Sequence, residues 1–290
     1  MYKAGICAIS EDGKSVMNAQ LLKEAMIKAK ELNIPVLSHC EDRSLVKGGC
    51  MNEGAHCESL GLKGISNDSE DVIVARDIVL AESTGAKLHL CHMSTKGSIE
   101  LLNEAKLRGV NVTGEITPHH FTLSDEAVDG KDTNTKMNPP LRSKDDVEAM
   151  RKALKDGVAD TISTDHAPHS AEEKAKDYQA APFGIVGSET SFALSNSVLV
   201  EEGYLTPSAL IEKMSYNPAK ILGIDKGDIS VGKVADITIT NPEKVFKIDK
   251  EKFYSKGKNT PFDGYEVKGS VEYTIVGGKI VFEKGKINDN

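Results

Sequence analysis

Metal-binding and acid–base side chains follow five strand-like runs of this chain, at the point where each run ends. Each run is short and apolar, and stretches of helical periodicity separate them. The five segments are residues 7–12, 36–42, 88–92, 112–120 and 161–169. In a barrel of parallel strands, the carboxyl ends of the strands meet at one rim, and active sites are built there. The pattern therefore predicts an α/β enzyme whose site is assembled from several strand ends.

The alternation of strands and helices gives five such units, whereas a closed barrel of this type needs eight. We therefore expect residues 1–223 to form an incomplete TIM-like (β/α)8 barrel of the metallo-hydrolase type, with about strands 4–8 and their helices. After Gly223 the sequence becomes β-rich, and the pair Gly277-Gly278 is typical of a hairpin turn. Residues 224–290 are expected to form the C-terminal β segment of a small β domain.

Hydrophobic periodicity also predicts the individual elements. Residues 41–69 are Gly-rich and irregular, so we expect a long loop over the site. Strands are expected at residues 4–10, 34–39, 87–91, 110–116 and 160–164, and β-rich runs at residues 229–240 and 271–282. Helices are expected at about residues 16–32, 70–84, 95–108, 144–156, 188–202 and 207–218.

Composition excludes several classes of function. The chain has 290 residues and a formal net charge of −8, whereas nucleic-acid-binding surfaces are usually basic. No run approaches the roughly 20 apolar residues that a membrane helix needs. The five cysteines do not have zinc-finger spacing, and the first residues do not resemble a signal peptide. We therefore expect no nucleic-acid or membrane partner, and a cytoplasmic protein with reduced thiols.

Four candidate metal ligands lie at or just after four of the predicted strand ends. They combine histidine with carboxylate, which suits zinc, and a hydrolytic zinc site keeps one position open for water. One such residue alone is more often a hydrogen-bonded core or turn residue, but four on successive units favour a shared site. The four residues are Asp12, His39, His92 and Asp165.

Asp165 is also the candidate catalytic residue, because a metal-bound carboxylate can still take a proton from the metal's water. His169 follows in the same loop and can bind an anionic group of a substrate. Asn138 precedes two prolines that fix an extended backbone, so its amide could be held for hydrogen bonding or the stretch could simply connect two elements. Gly184 allows a ligand to approach the backbone closely, although a plain loop glycine explains it equally well.

Several of these segments together resemble those of the class I, bacterial-type dihydroorotases of the amidohydrolase superfamily. The match runs in order from about residue 4 to about residue 284, and residues 227–236 resemble the superfamily's C-terminal β segment. The resemblance implies zinc-dependent, reversible cyclisation of N-carbamoyl-L-aspartate to L-dihydroorotate in pyrimidine biosynthesis. The segments that carry it are residues 39–42, 91–94, 115–120, 138–142 and 164–169.

The resemblance also implies a role for each matching residue. Asp12 is implied to bridge two zinc ions, and His39 and His92 to bind the second of them. Asp165 is implied to bind the first zinc and to act as the acid–base group. The residues implied to contact dihydroorotate or N-carbamoyl-aspartate are Asn138 and His169, with the backbone of Phe183 and Gly184 completing the pocket.

The chain departs from the family pattern at its start. The His-x-His motif of the family's first strand, and an early arginine and asparagine that hold the substrate carboxylate, have no counterpart here. The first zinc would keep Asp12 and Asp165 as ligands. We therefore expect an N-terminally truncated chain that is impaired or inactive alone, and that pairs with an N-terminal fragment or with copies of itself through open strand edges.

Two alternatives stay open from the sequence. One is a related cyclic amidohydrolase of the hydantoinase, dihydropyrimidinase or allantoinase type, although Asp12 stands where those enzymes use a lysine. The other is a non-catalytic dihydroorotase-like subunit that scaffolds aspartate transcarbamoylase. The missing His-x-His motif favours the scaffold, and the four retained candidate ligands favour a catalyst.

Overall fold

Short parallel strands alternate with helices along most of the chain, in a computed structural model that describes residues 1–288. In chain order the strands are β1 (Ile9–Ser10), β2 (Val36–Ser38), β3 (Met51–Asn52), β4 (Gly64–Ile65), β5 (Leu88–Leu90), β6 (Val112–Ile116), β7 (Thr161–Ile162), β8 (Ile237–Lys247), β9 (Glu266–Val276), β10 (Lys279–Glu283) and β11 (Lys286–Ile287).

Helices occupy the connections between these strands. The α-helices are α1 (Ala19–Glu31), α2 (Arg43–Val46), α3 (Ala55–Leu60), α4 (Asp68–Thr84), α5 (Lys96–Leu107), α6 (Pro118–Thr122), α7 (Lys144–Lys155), α8 (Ala171–Lys174), α9 (Ser191–Ser195), α10 (Pro207–Ile211) and α11 (Asn217–Leu222). Single 3-10 turns lie at Tyr2–Ala4, Asp125–Ala127, Thr133–Thr135 and Lys250–Lys252, and π-helical turns at Asn196–Val200 and Glu212–Tyr216.

The central sheet has five parallel strands in the order β1-β2-β5-β6-β7. Because all five run in the same direction, their carboxyl ends lie at the same edge. A second sheet, antiparallel, has the order β11-β10-β9-β8. The predicted α/β class, with a parallel sheet followed by a C-terminal β segment, is therefore confirmed.

The long helices form because one face of each is apolar, and in α1, α5 and α7 a polar side chain also caps the start. In α1 the buried residues Leu22, Met26 and Ala29 recur at helical spacing. The side chain of Asn18 accepts hydrogen bonds from the backbone N–H groups of residues 20 and 21. This buried face packs in the same core as the strands of the central sheet.

Three predicted elements differ from the observed ones. The first strand was expected at residues 4–10 but covers Ile9–Ser10, because Gly5 ends a 3-10 turn in the left-handed conformation. The β-rich run expected from residue 229 begins as a strand at Ile237, since exposed turns precede it. The region 41–69 was expected to be a loop, but it contains α2, α3 and the parallel pair β3–β4.

The Gly277-Gly278 hairpin was predicted correctly, because both glycines adopt the positive φ angles that such a turn requires. β9 and β10 pair on either side of it, with Val276 opposite Lys279. The C-terminal sheet also contacts the helical part, since the Asn196 amide donates to the backbone oxygens of Lys268 at 2.8 Å and Pro242 at 3.1 Å. Within the described part of the chain, no helix is both long and apolar enough to span a bilayer.

A buried arginine joins the region around β3 and β4 to the helices and loops beside the central sheet. Arg142 is 2% exposed and donates to the Ile65 oxygen at 2.8 Å, to the Asn52 side chain at 3.2 Å and to Ser94 Oγ at 3.1 Å. Its guanidinium also lies 4.0 Å from the carboxylate of Glu70, which is equally buried. Removing one member of a buried ion pair is costly, because the other charge stays buried without compensation.

We expect Arg142→Met to lower the free energy of unfolding by about 3–5 kcal/mol, since it leaves the Glu70 carboxylate buried without its cation. The measurement is urea unfolding followed by circular dichroism. The matched control is Arg108→Met, because Arg108 pairs with Glu82 at the exposed surface, where such pairs contribute about 1 kcal/mol or less. Equal losses of unfolding free energy in the two variants would contradict a stabilising buried pair between Arg142 and Glu70.

Candidate metal centre

Three of the predicted ligands converge at one point. His39 Nδ1 lies 2.9 Å from His92 Nε2, and Asp12 Oδ1 lies 3.5 Å from the first and 3.4 Å from the second. Both imidazoles are buried, whereas the Asp12 side chain is 62% exposed. The three side chains therefore form a small triangle of donor atoms with one side open to solvent.

The order of the strands explains this convergence. Asp12 follows β1, His39 follows β2, and His92 follows β5, and these three strands are neighbours in the parallel sheet. Adjacent strands lie about 4.8 Å apart, so side chains that leave consecutive strand ends come within contact distance. His92 also has a φ of 33°, an uncommon backbone conformation that clusters at functional sites.

Carboxylates around the imidazole pair favour positive charge there. Burial opposes protonation of His92, but the hydrogen bond with Asp12 and the charges of Asp165 and Glu115 raise the pKa of His92 to about 9. Burial and the neighbouring His92 lower the pKa of His39 to about 3. The hydrogen bond with His92 lowers the pKa of Asp12, so this carboxyl is ionised at neutral pH.

The donor triangle fits a divalent metal ion. Donor atoms about 2.1 Å from a tetrahedral zinc ion lie about 3.4 Å from each other, and the observed separations are 2.9, 3.4 and 3.5 Å. The outer nitrogens, His39 Nε2 and His92 Nδ1, have no hydrogen-bond partner among residues 1–288. Both imidazoles therefore point their partnered nitrogens toward the carboxylate, as ligands of one ion do.

Asp165 faces the same region from β7, two strands beyond β5 in the sheet. It does not belong to the close group of three donors, but its charge helps to raise the pKa of His92, and the charge of Asp12 helps to raise the pKa of Asp165. Burial raises the pKa of the Asp165 carboxyl, and His92 partly opposes that rise. Its φ is 43°, a second non-glycine residue with left-handed backbone at this edge.

The structure brings together three of the four predicted substrate-binding residues. His169 Nε2 lies 2.8 Å from the Phe183 oxygen. Gly184 has a φ of 124°, and a Cβ there would lie 2.6 Å from the Cβ of Ala167, so no larger residue fits. The loop after β7 and the loop around Gly184 therefore form one unit.

The fourth predicted substrate-binding residue, Asn138, contacts a different neighbour. Its amide nitrogen donates to Glu41 Oε1 at 2.7 Å, and Glu41 lies two residues after His39. His120 supports this stretch, because its Nε2 lies 3.0 Å from the Pro139 oxygen and its Nδ1 lies 2.8 Å from Thr117 Oγ1.

Two further residues of this region received no role from the sequence. Glu41 is a partner of Asn138, and Glu115 accepts a hydrogen bond from the backbone N–H of His92 at 3.2 Å while its other oxygen lies 3.0 Å from His89 Nε2. Both lie inside the segments singled out at the strand ends. Their position at the strand ends was the signal available in the sequence, but it did not show which residues Glu41 and Glu115 would contact.

Known proteins share the sequence pattern and the fold of this chain. A sequence profile described as the amidohydrolase family matches residues 8–281. The dihydroorotase of Caldanaerobacter subterraneus subsp. tengcongensis is 52% identical over 286 residues, which cover 99% of this chain and 66% of that protein. The dihydroorotase of Geobacter metallireducens is 53% identical over 284 residues, covering 98% of this chain and 67% of that protein. The chain thus spans about two thirds of the length of these curated relatives.

Solved structures of cyclic amide hydrolases have the same fold. The L-hydantoinase (dihydropyrimidinase) from Arthrobacter aurescens superposes with a TM-score of 0.89 at 26% identity, covering 100% of this chain and 67% of that chain. A D-hydantoinase (dihydropyrimidinase) from a Thermus species gives a TM-score of 0.85 at 27% identity, covering 98% and 65%.

We expect His92→Ala to weaken binding of Zn²⁺ by at least about 100-fold, because losing even an outer-shell partner of a ligand costs about 10- to 100-fold. The measurement is a competition titration against a chelator. His56→Ala is the control, since His56 bonds the Val128 oxygen and is not among the three donors. Equal zinc affinities in the two variants would show that His92 is not a ligand of the metal.

Proposed function

Because this chain belongs to the amidohydrolase family, we propose that it acts as a dihydroorotase, which closes N-carbamoyl-L-aspartate to L-dihydroorotate and reopens the ring. The observation that carries this proposal is the sequence identity of 52% to a dihydroorotase over 99% of the chain. The donor triangle of Asp12, His39 and His92 supports it, because this triangle lies at the strand ends where a barrel enzyme holds its site.

The proposed cofactor is zinc, with two ions in the complete site. His39 and His92 would hold one ion, Asp12 would bridge both, and Asp165 would bind the other. Zinc in this position would supply Lewis-acid polarisation of the ring amide carbonyl and would stabilise the negative charge that develops on its oxygen. The tight donor triangle and the surrounding carboxylates are the features that support this assignment.

Asp165 is the proposed acid–base residue. Its carboxylate would accept a proton from the water that attacks the amide carbonyl and would return that proton to the ring nitrogen as the C–N bond breaks. Burial raises the pKa of this carboxyl above its usual value, which brings it closer to the range in which a group exchanges protons readily. In the direction of ring closure the same oxygen would take the proton from the carbamoyl nitrogen.

The proposed substrate contacts come from two loops. His169 would bind the carboxylate of the substrate, while the backbone of Phe183 and Gly184 would line the pocket. Asn138 would hydrogen-bond the ring, and its contact with Glu41 at 2.7 Å holds the amide in one orientation. A small anionic molecule is therefore the proposed partner of this site.

The five-stranded sheet is proposed to be part of an eight-stranded TIM-like barrel. It would correspond to about strands 4–8 of that barrel. A cavity of about 260 Å³ lies next to the sheet, lined by residues of the strand region such as His89, Glu115 and Ile162 and by Met214 and Leu222. β1 pairs with β2 alone among the described strands, so its other edge is available for pairing. The proposed domains are residues 1–223 for the barrel part and 224–290 for the β segment.

We propose a cytoplasmic location and a partner at the edge of β1. The five cysteines are all free thiols, which fits a cytoplasmic protein. The available edge of β1 fits pairing with an N-terminal fragment, with a second copy of the chain or with aspartate transcarbamoylase. In the alternative, the chain is a non-catalytic subunit whose function is to bind such a partner and not to turn over a substrate.

A hydantoinase or dihydropyrimidinase activity is the second candidate. The structural similarity to the Arthrobacter L-hydantoinase, with a TM-score of 0.89, favours it. The identity to that enzyme is 26%, against 52% to the Caldanaerobacter dihydroorotase. The difference in identity supports dihydroorotate as the substrate.

The proposal is tested by comparing hydrolysis of dihydroorotate, hydantoin and allantoin. We expect the zinc-loaded chain alone to fall well below the enzyme median of about 10 turnovers per second, because its described donor group has only three members. Adding the part of the Caldanaerobacter dihydroorotase that this chain does not align with should raise turnover of dihydroorotate selectively. Preference for hydantoin or allantoin would favour the second candidate, and full activity of the chain alone would refute the incomplete barrel.

In that completed enzyme, Asp165→Asn is expected to lower kcat for dihydroorotate by about 10²- to 10⁴-fold, the usual contribution of a positioned acid–base group. KM should change little, because the amide keeps the size and one oxygen of the carboxylate. Asp156→Asn is the control, since Asp156 is exposed at the end of α7. A kcat within twofold of the control would rule out Asp165 as the proton carrier.

A further inference from the structure

A buried asparagine from the C-terminal part of the chain contacts both loops that carry the proposed substrate contacts. Asn259 lies between the turn at Lys250–Lys252 and β9, and it is 5% exposed. Its Oδ1 accepts the backbone N–H of His169 at 3.0 Å. Its Nδ2 donates to the oxygens of Ala167 and Gly184, each at 3.0 Å.

The backbone of Asn259 extends the same connection. Its carbonyl oxygen accepts the N–H of Val186 at 2.9 Å, in the second loop. The preceding chain packs directly on the first loop, because a Cβ on Gly257 would lie 2.7 Å from the Cβ of Pro168. Asn259 therefore reaches both loops from a backbone that is already in contact with them.

The two loops also bond directly to each other. His166 pairs with Ile185 in a parallel bridge, and the Ala167 N–H donates to the Ile185 oxygen at 2.8 Å. Gly184 approaches Ala167 too closely for any side chain to stand between them. The Asn259 amide closes the unit by satisfying the Ala167 and Gly184 oxygens and the His169 N–H together.

The chemistry of the amide suits this position. An asparagine side chain offers an acceptor and two donor hydrogens at one short end, so one residue serves one N–H and two carbonyl oxygens. Aspartate would keep the acceptor but would place a carboxylate against the two oxygens. Alanine would leave all three backbone groups without this partner, in a buried place where unpaired polar groups are unfavourable.

We propose that Asn259 is a positioning residue that fixes His169 and the Phe183–Gly184 backbone in the arrangement that binds the substrate. The proposal rests on the proposed function for its ligand. Asn259 makes no contact with the metal-binding residues and acts through the two loops. The C-terminal part of the chain thereby contributes to a site whose other residues come from the barrel part.

The first test is hydrogen–deuterium exchange of the whole chain, read by peptide. In Asn259→Ala, peptides that cover residues 165–169 and 183–187 should exchange at least tenfold faster, while peptides of β5 and β9 stay unchanged. Asn241→Ala is the control, because the exposed Asn241 side chain bonds only locally, to the backbone N–H of Glu243 at the irregular part of β8. Unchanged exchange in both loops, or faster exchange throughout the chain, would overturn the proposal.

Asn259→Asp separates the two functions of the amide and replaces the alanine variant if that variant does not fold. It keeps the acceptor for the His169 N–H but loses both donor hydrogens. Exchange should therefore increase in residues 183–187 more than at His169. An increase confined to His169 would contradict the assignment of the hydrogen bonds.

The second test is binding of N-carbamoyl-L-aspartate, measured by calorimetry, to the zinc-loaded protein completed with the part of the Caldanaerobacter dihydroorotase that this chain does not align with. Asn259→Ala should weaken binding at least tenfold, with the zinc affinity unchanged in a chelator competition. Faster exchange in the two loops together with an unchanged Kd for N-carbamoyl-L-aspartate would overturn the positioning role. If the unaltered protein does not bind this ligand, the proposed function fails, and exchange alone decides whether Asn259 holds the loops.

Discussion

Parallel pairing of β1, β2 and β5 is the constraint on which the candidate centre depends. Ile9 pairs with Val36, and Val36 pairs with Leu88, so the three strands end at nearly the same height. A shift of one residue in either register would turn the following side chains to the opposite face. The 2.9 Å contact between His39 and His92 therefore follows from strand register and requires no long-range coincidence.

Charge around this contact favours a cation. Asp12, Asp165 and Glu115 all act on His92, and Glu115 also bonds its backbone N–H. These carboxylates raise the pKa of His92, and His92 in turn lowers the pKa of Asp12. The same negative charge would favour a divalent ion, and Asp12, His39 and His92 offer donor atoms that could hold one.

The C-terminal part of the chain is joined to the site by hydrogen bonds and by packing. Glu189, which follows the Gly184 loop, accepts the backbone N–H groups of Tyr254 and Ser255 at 2.8 and 2.9 Å. A few residues later, the Asn259 side chain accepts a hydrogen bond from the His169 N–H and donates one to the Ala167 oxygen. The segment between β8 and β9 thus lies against the rim loops, although the sequence assigns it to a separate β region beyond residue 223.

Local patterns in the sequence singled out three residues that the structure brings together. Asp12, His39 and His92 each follow an apolar strand within a few residues, and parallel strands always present such positions at one edge. The lengths of the elements were less predictable. β1 is two residues long because Gly5 ends a turn just before it, and nothing in an apolar run shows where pairing with a neighbour stops.

The sequence by itself therefore determined the α/β class and the residue types at the strand ends, because both depend on near neighbours along the chain. Only the tertiary structure decided that Asn138 bonds Glu41, 97 positions away, and that Asn259 bonds His169, 90 positions away. No periodicity encodes such pairs, because their contacts arise when separate loops meet at the rim of the folded sheet.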